Sequence, residues 1–368
     1  MLNTDKTVIK PGSKRLLSLD VMRGLTIVGM IIVNNAGGPD SYAFLQHSAW
    51  NGLTPCDLVF PFFLFIMGVT TYLSLSKLDF SPSWPVLRKI LKRTFIILLI
   101  GWAIHWFDNG CSGKGWLDFS RLRITGVLTR IALCYGIVSV LALYLSRRVM
   151  LWLGAVLLVL YSAALCVCNG YVYDASNFNS VVDRALLGAG HLYTKKPVDP
   201  EGLAGTVSAV AHTIFGFCCG ALVKSRRPLE NRVILLFVIG FLAMSAGFLI
   251  SEAFPINKRV WSPSFVLVTC GLASLLLATL IYFIDMRGFR RWSVFFEAFG
   301  VNPLFLYVLS EVAAIVFGCY GIKVAIYSAI SGIVPDAYLA SAVYSVAFML
   351  LMGAIGYPLY KKHIYIKI

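Results

Sequence analysis

The chain has 368 residues, of which 58% are hydrophobic and 13% charged, and its mean hydropathy is +0.79, well outside the range of soluble domains. A formal net charge of +15 would suit nucleic acid. However, the Lys and Arg residues fall in short clusters between apolar runs and form no basic stripe with interleaved aromatics, so they are read as setting membrane orientation and meeting lipid headgroups.

Several apolar runs exceed the roughly 18 residues that cross a bilayer, which predicts an all-α fold, a polytopic bundle of about ten transmembrane helices. In chain order they fall near 18-35, 55-76, 87-107, 124-145, 150-169, 204-223, 231-251, 262-284, 295-318 and 337-360, with a short interfacial or re-entrant helix within 319-336. No internal repeat or low-complexity segment divides the chain, so 1-368 reads as one domain. Lys6, Lys10, Lys14 and Arg15 precede the first run like a signal-peptide n-region, but Asp20 and Arg23 interrupt the apolar stretch, which predicts an uncleaved first helix. The denser basic clusters (Arg88 to Arg93, Lys224 to Arg232, Arg287 to Arg291) alternate onto the side of segment 1-15. That places both termini in the cytoplasm, with the 170-203 segment as the longest extracytoplasmic loop.

Most of the runs are anonymous lipid-soluble sequence. The stretch 34-68 is not: it leaves the first helix through Asn34-Asn35, turns at Gly37-Gly38-Pro39, and carries His47 and Trp50 before Asp57 opens the next helix. His47 titrates near neutrality and could act as base or nucleophile, or simply bond a loop carbonyl at the interface. Trp50 could wall it in. Asn34 could stabilise an oxyanion or only end its helix. Asp57 could orient His47, grip an acceptor ammonium, or complement the helix dipole.

Elsewhere Asp20 and Arg23, three apart, can pair on one helix face. Arg130 lies deep in its helix with no local partner, which suits a ligand phosphate or an interhelical ion pair. Glu297, Asn302-Pro303 and Glu311 put polar groups and a kink into the ninth helix. On the outer side, Asp199, Glu201, Lys258 and Trp261, with Tyr171, Tyr173 and Tyr193, offer carboxylates and aromatic faces that suit a sugar, or else form an interfacial belt. His105 and His212 sit in apolar helices as bundle hydrogen-bonders. Nine cysteines give no disulfide framework, although a bridge among Cys56, Cys111 and Cys319 stays open. Without HExxH, paired CxxC, Walker or GxGxxG patterns, neither a metal enzyme nor nucleotide chemistry is supported. The residues alone leave an enzyme, a secondary transporter of a small polar or anionic solute, and a scaffold all open.

The blocks LLSLDVMRGLTIVGMIIVNN, HSAWNGLTPCDLVFPFFLFIMG, RITGVLTRIALCYG, DPEGLAGTVSA, NKRVWSPSF and GVNPLFLYVLSE, in this order, resemble the transmembrane acyltransferases related to heparan-α-glucosaminide N-acetyltransferase. The resemblance implies an enzyme that moves acetyl from cytosolic acetyl-CoA to an amino sugar or other glycan acceptor across the membrane, with no metal. It maps the family's catalytic histidine onto His47 and its partner asparagine onto Asn34, although the longer spacing here leaves Asn35 as a substitute. It further implies a bacterial homologue without the N-terminal lumenal portion, sited in the inner (plasma) membrane among lipids as a homodimer. On this basis Arg23, Arg130, Asn302 and Tyr135 are expected along the coenzyme's path, and Trp50, Asp199, Glu201, Lys258 and Trp261 around the acceptor.

Overall fold

The computed structural model describes residues 16–193 and 196–366; the expected cytoplasmic segment 1-15 lies outside them. The α-helices run in order as α1 (Leu17–Asn34), α2 (Pro55–Leu75), α3 (Trp84–Cys111), α4 (Val127–Tyr144), α5 (Arg147–Val167), α6 (Phe178–Leu187), α7 (Leu203–Val223), α8 (Leu229–Ile250), α9 (Pro263–Leu280), α10 (Ser293–Val301), α11 (Pro303–Cys319), α12 (Ile322–Ile333) and α13 (Ala337–Lys361). There is no strand among the described residues, and nine of their helices are long and apolar enough to cross a bilayer. The pair α10 and α11 makes a tenth candidate. The expected all-α bundle of about ten spans is what forms, because helices satisfy their own backbone where no water can.

Two expectations change. The run 295-318, expected as one kinked helix, is two helices bent by 82°. Asn302 leaves helical geometry at φ −124, ψ 56, and Pro303 brings no N–H to continue the ladder. The segment 170-203, expected as a loop, holds α6, capped by the Asn177 side chain, which accepts from the Asn179 N–H at 2.9 Å. Its mixed sequence, FNSVVDRALL, sits among turn residues and is too short to stand out as a span. The short helix expected within 319-336 is α12.

Spans α7 and α9 are the most buried and lie at the centre, while α3, α5 and α8 are the least buried. The outer helices present Val156, Leu160, Phe241 and Leu249 outward, the pattern of a lipid-facing wall. Close approach of α1 to α10 depends on glycine: a Cβ on Gly24 would collide with the Phe296 carbonyl, and one on Gly300 with that of Asp20. Because α10 meets the first half of α1, and the Asn302 amide donates to Ile364 O and accepts from Ile366 N, both at 2.8 Å, the described chain begins and ends at one end of the bundle. The α1–α2 hairpin lies at the other.

Candidate active site

The hairpin is fastened by the turn before α9. Gly52 N–H donates to Ile256 O at 2.7 Å and the Asn257 amide to Asn51 Oδ1 at 3.0 Å; Gly52 needs its φ of +118 to do so. Asn257 Oδ1 in turn accepts from the N–H groups of Arg259 and Val260 at 2.8 and 3.1 Å, which shapes the turn and delivers Lys258. As a result two residues 211 apart in sequence meet: Lys258 Nζ lies 3.0 Å from His47 Nδ1.

Asp57 organises the imidazole. Its Oδ1 is 2.8 Å from His47 Nδ1 and 3.5 Å from Lys258 Nζ. Its Oδ2 accepts from Ser48 N, Thr54 N and Thr54 Oγ1 at 3.0 to 3.1 Å. The carboxylate therefore acts with both oxygens: one closes the capping box of α2 and the other holds the ring. With Nδ1–H donated to Asp57, Nε2 is the ring nitrogen left to accept a proton or acyl group, with Lys258 Nζ 3.4 Å and Cys56 Sγ 3.6 Å from it. Cys56 Sγ packs 3.0 Å from Nδ1 and is itself buried.

His47, Asp57 and Lys258 share the wall of a cavity of about 510 Å³ with Asn34, Arg123, Glu201, Arg259, Tyr307 and Glu311. Of the two candidate asparagines, Asn34 faces this space and donates to Glu311 Oε1 at 3.1 Å. Asn35 is buried and donates back to Ile31 O at 2.8 Å. Arg123 Nη2 bridges Asp199 Oδ1 and Glu201 Oε2, each at 2.8 Å, and its guanidinium lies over the Tyr193 ring. Burial alone would push the Asp199 carboxyl up, but Arg123 and the Thr125 hydroxyl outweigh it and hold it below the usual carboxylate range. The cavity continues into a vestibule of about 1110 Å³ bordered by Asn34, His105, Arg123, Tyr193 and Glu311.

A second cavity, of about 280 Å³, opens from the opposite end of the bundle. It is lined by Arg23, Arg93 and Tyr135 together with Thr70, Thr71, Ser74, Ser139 and apolar side chains including Phe63, Ile131 and Leu304. Arg93 stacks on Tyr135 at 4.6 Å, and Arg23 pairs with Asp20 at 2.8 Å, as their spacing suggested. Five helices, α1, α2, α3, α4 and α11, line both cavities, and the two linings come nearest on the last three. Along α3 the lining passes from Ile97 to Gly101, along α4 from Ile131 to Thr129, and along α11 from Leu304 to Tyr307. At the helical rise per residue these steps are about 3 to 6 Å, against about 9 Å on α2 from Phe63 to Asp57 and about 17 Å on α1 from Arg23 to Asn34.

Other expected site residues lie elsewhere. Arg130 is 1% exposed and donates to Pro200 O and Gly202 O, both at 2.8 Å, with its guanidinium over Trp261. It fixes the segment that carries Asp199 and Glu201, and borders neither cavity. Trp261 is fully buried against Phe60 and Phe265, which leaves no face for a sugar. Trp50 donates to Tyr171 O at 2.9 Å and packs on Tyr173, bracing the loops, while Asn302 is spent on the backbone of Ile364 and Ile366. Arg93, Arg123, Arg259 and Tyr307 join the cavity walls without any expectation from sequence. Their signal was weak because each looks like an interfacial charge or aromatic until the fold brings it to a cavity.

Residues 15–182 match the family described as heparan-alpha-glucosaminide N-acetyltransferase, catalytic. The chain is 29% identical over 356 residues to heparan-alpha-glucosaminide N-acetyltransferase of Homo sapiens, covering 81% of this chain and 53% of that protein. It is 28% identical over 366 residues to the Mus musculus protein of the same name, with 82% and 54% covered. The chain thus spans about half the length of the curated relatives it matches.

Proposed function

We propose that this chain, which belongs with the transmembrane acyltransferases related to heparan-α-glucosaminide N-acetyltransferase, carries an acetyl group from acetyl-CoA to an amino sugar at the opposite end of the bundle. The observation that carries the proposal is the pairing of a histidine–aspartate–lysine cluster on one cavity with an arginine-bearing cavity beneath it, the two approaching within about one helical turn along α3, α4 and α11. The coenzyme's anionic head rests at Arg23 and Arg93 beside Tyr135, where guanidinium groups suit phosphate. Its slender pantetheine arm passes between Ile131 and Leu304, bringing the thioester to His47.

The acceptor enters through the vestibule into the His47 cavity, where Glu201 and Lys258 face it and Asp199 holds the wall through Arg123. His47 Nε2 takes the proton released as the amine attacks, or first accepts the acetyl group itself. Asn34, whose amide projects into the same space, donates to the oxyanion of the tetrahedral intermediate. Parallel double-reciprocal lines with both substrates varied would assign the acetyl-imidazole route, and intersecting lines the ternary complex. The cytoplasm lies on the side of both termini, following the basic clusters, and the protein works in a bacterial inner membrane as a homodimer.

The thin partition between two oppositely opening cavities also favours a second reading, a carrier with alternating access. The two differ in one requirement. Purified protein in detergent, with no gradient, is expected to release CoA thiol and acetylate glucosamine; if it turns over only as solute uptake in sealed vesicles, the carrier is right.

A further inference from the structure

The outer cavity is lined by three carboxylates, Asp57, Glu201 and Glu311, and two of them already have cations. Lys258 Nζ is 3.5 Å from Asp57 and Arg123 Nη2 is 2.8 Å from Glu201. Glu311 differs: among the described residues, no Lys or Arg nitrogen lies within 4.0 Å of it. Its partners are neutral, the Asn34 amide at 3.1 Å and the Tyr307 hydroxyl. A carboxylate on a membrane-embedded helix with no countercharge is costly to keep, and the cost is relieved when a cation arrives.

Its position says where such a cation comes from. Glu311 borders both the cavity that holds His47 and the vestibule outside it, so a molecule entering from the vestibule passes it. Asp57 cannot take the same part, because both its oxygens are occupied by His47, Ser48, Thr54 and Lys258. Glu201 is spent on Arg123.

We propose that Glu311 is the group that receives the acceptor's ammonium and its first proton, an assignment that rests on the acetyl-transfer function above. An amino sugar enters as R–NH₃⁺ and pairs with the Glu311 carboxylate. One proton passes from nitrogen to the carboxylate, and the freed lone pair forms the C–N bond to the acetyl carbon. The C–S bond breaks with its electron pair leaving on the coenzyme sulfur. The remaining excess proton on nitrogen goes to His47 Nε2 and from there to the thiolate. Glu311 returns its proton to vestibule water, so that R–NH₃⁺ and acetyl-CoA give the amide, CoA thiol and one proton. Glu311 also selects for amines over neutral nucleophiles, since only an ammonium satisfies it.

The test compares two acceptors with the full-length protein and acetyl-CoA: glucosamine, charged at neutral pH, and hydroxylamine, uncharged there. In Glu311→Gln, the ratio of kcat/KM for glucosamine to that for hydroxylamine is expected to fall about tenfold or more, the loss of one charge-assisted contact. Glu311→Asp, which keeps the charge, recovers part of the ratio and carries the same test should the Gln variant not purify. An unchanged ratio, whether both rates fall together or neither does, would overturn the assignment. Wild-type protein that acetylates neither acceptor would instead overturn the proposed function.

Discussion

The two cavities share helices but are built from different material. The outer one is made at helix ends and in loops, where His47, Asp57, Lys258, Arg123 and Glu201 hold one another through hydrogen bonds and ion pairs. The inner one is made in mid-helix, of apolar side chains and small hydroxyls with two arginines at its rim. Polar groups held by several partners have a fixed geometry, which proton and acyl transfer need. An apolar tube with cations at its mouth suits a ligand with a charged head and a slender tail. The contrast fits the proposed division, with chemistry at one end and delivery at the other.

The largest effect is expected at the outer end. His47→Ala should lower acetyl transfer to glucosamine by about 10³-fold, within the range for loss of a general base, while the KM for acetyl-CoA stays near that of the wild type. Steady-state assays of the purified variant check both numbers. Next comes Asp57→Asn, expected to cost about 100-fold in kcat by freeing the ring from its tautomer. It should also lower stability by about 1 kcal/mol through the loss of the α2 cap, measurable as a fall in melting temperature. At the inner end the sign of the split reverses. Arg93→Ala is expected to raise the KM for acetyl-CoA about tenfold with kcat little changed, the cost of one phosphate contact. A large drop in kcat there would erase the contrast between the cavities.

The smallest effect lies behind the outer wall. The Asp183 carboxyl, buried on α6 and accepting from Ala204 N at 3.0 Å, is pushed up from 3.8 to about 6, chiefly by burial. A raised carboxyl favours the protonated fold, so its stabilising contribution is complete below pH 3.8 and is lost as pH rises through about 6. Asp183→Asn should therefore melt with the wild type near pH 4 and above it, by about 2 °C, near pH 7.

How much of this could be read from residues alone differs between the two ends in the same way. His47, Asp57 and Asn34 stand out because a polar hairpin between two membrane spans is costly to keep near a bilayer. Arg23 and Tyr135, expected along the coenzyme's path from the resemblance, line the inner cavity, whose ligand is a proposal. Long-range pairings were invisible: Arg123 finds Asp199 and Glu201 across 76 and 78 residues, and Asn34 finds Glu311 across 277. Arg130 looked like a ligand contact because a buried arginine needs an acceptor, yet backbone carbonyls supply it. Trp261 misled for a reason particular to membranes. Where both the core and the lipid face are apolar, hydropathy does not separate a buried aromatic from an interfacial one.

The most direct measurement is a density map of the protein with CoA bound. The phosphates are expected beside Arg23 and Arg93 and the sulfur within about 4 Å of His47 Nε2, a near-attack distance once acetylated, having crossed the partition between Ile131 and Leu304. A coenzyme lying wholly in the vestibule, or one whose sulfur stops short of the partition, would contradict delivery from one end and chemistry at the other.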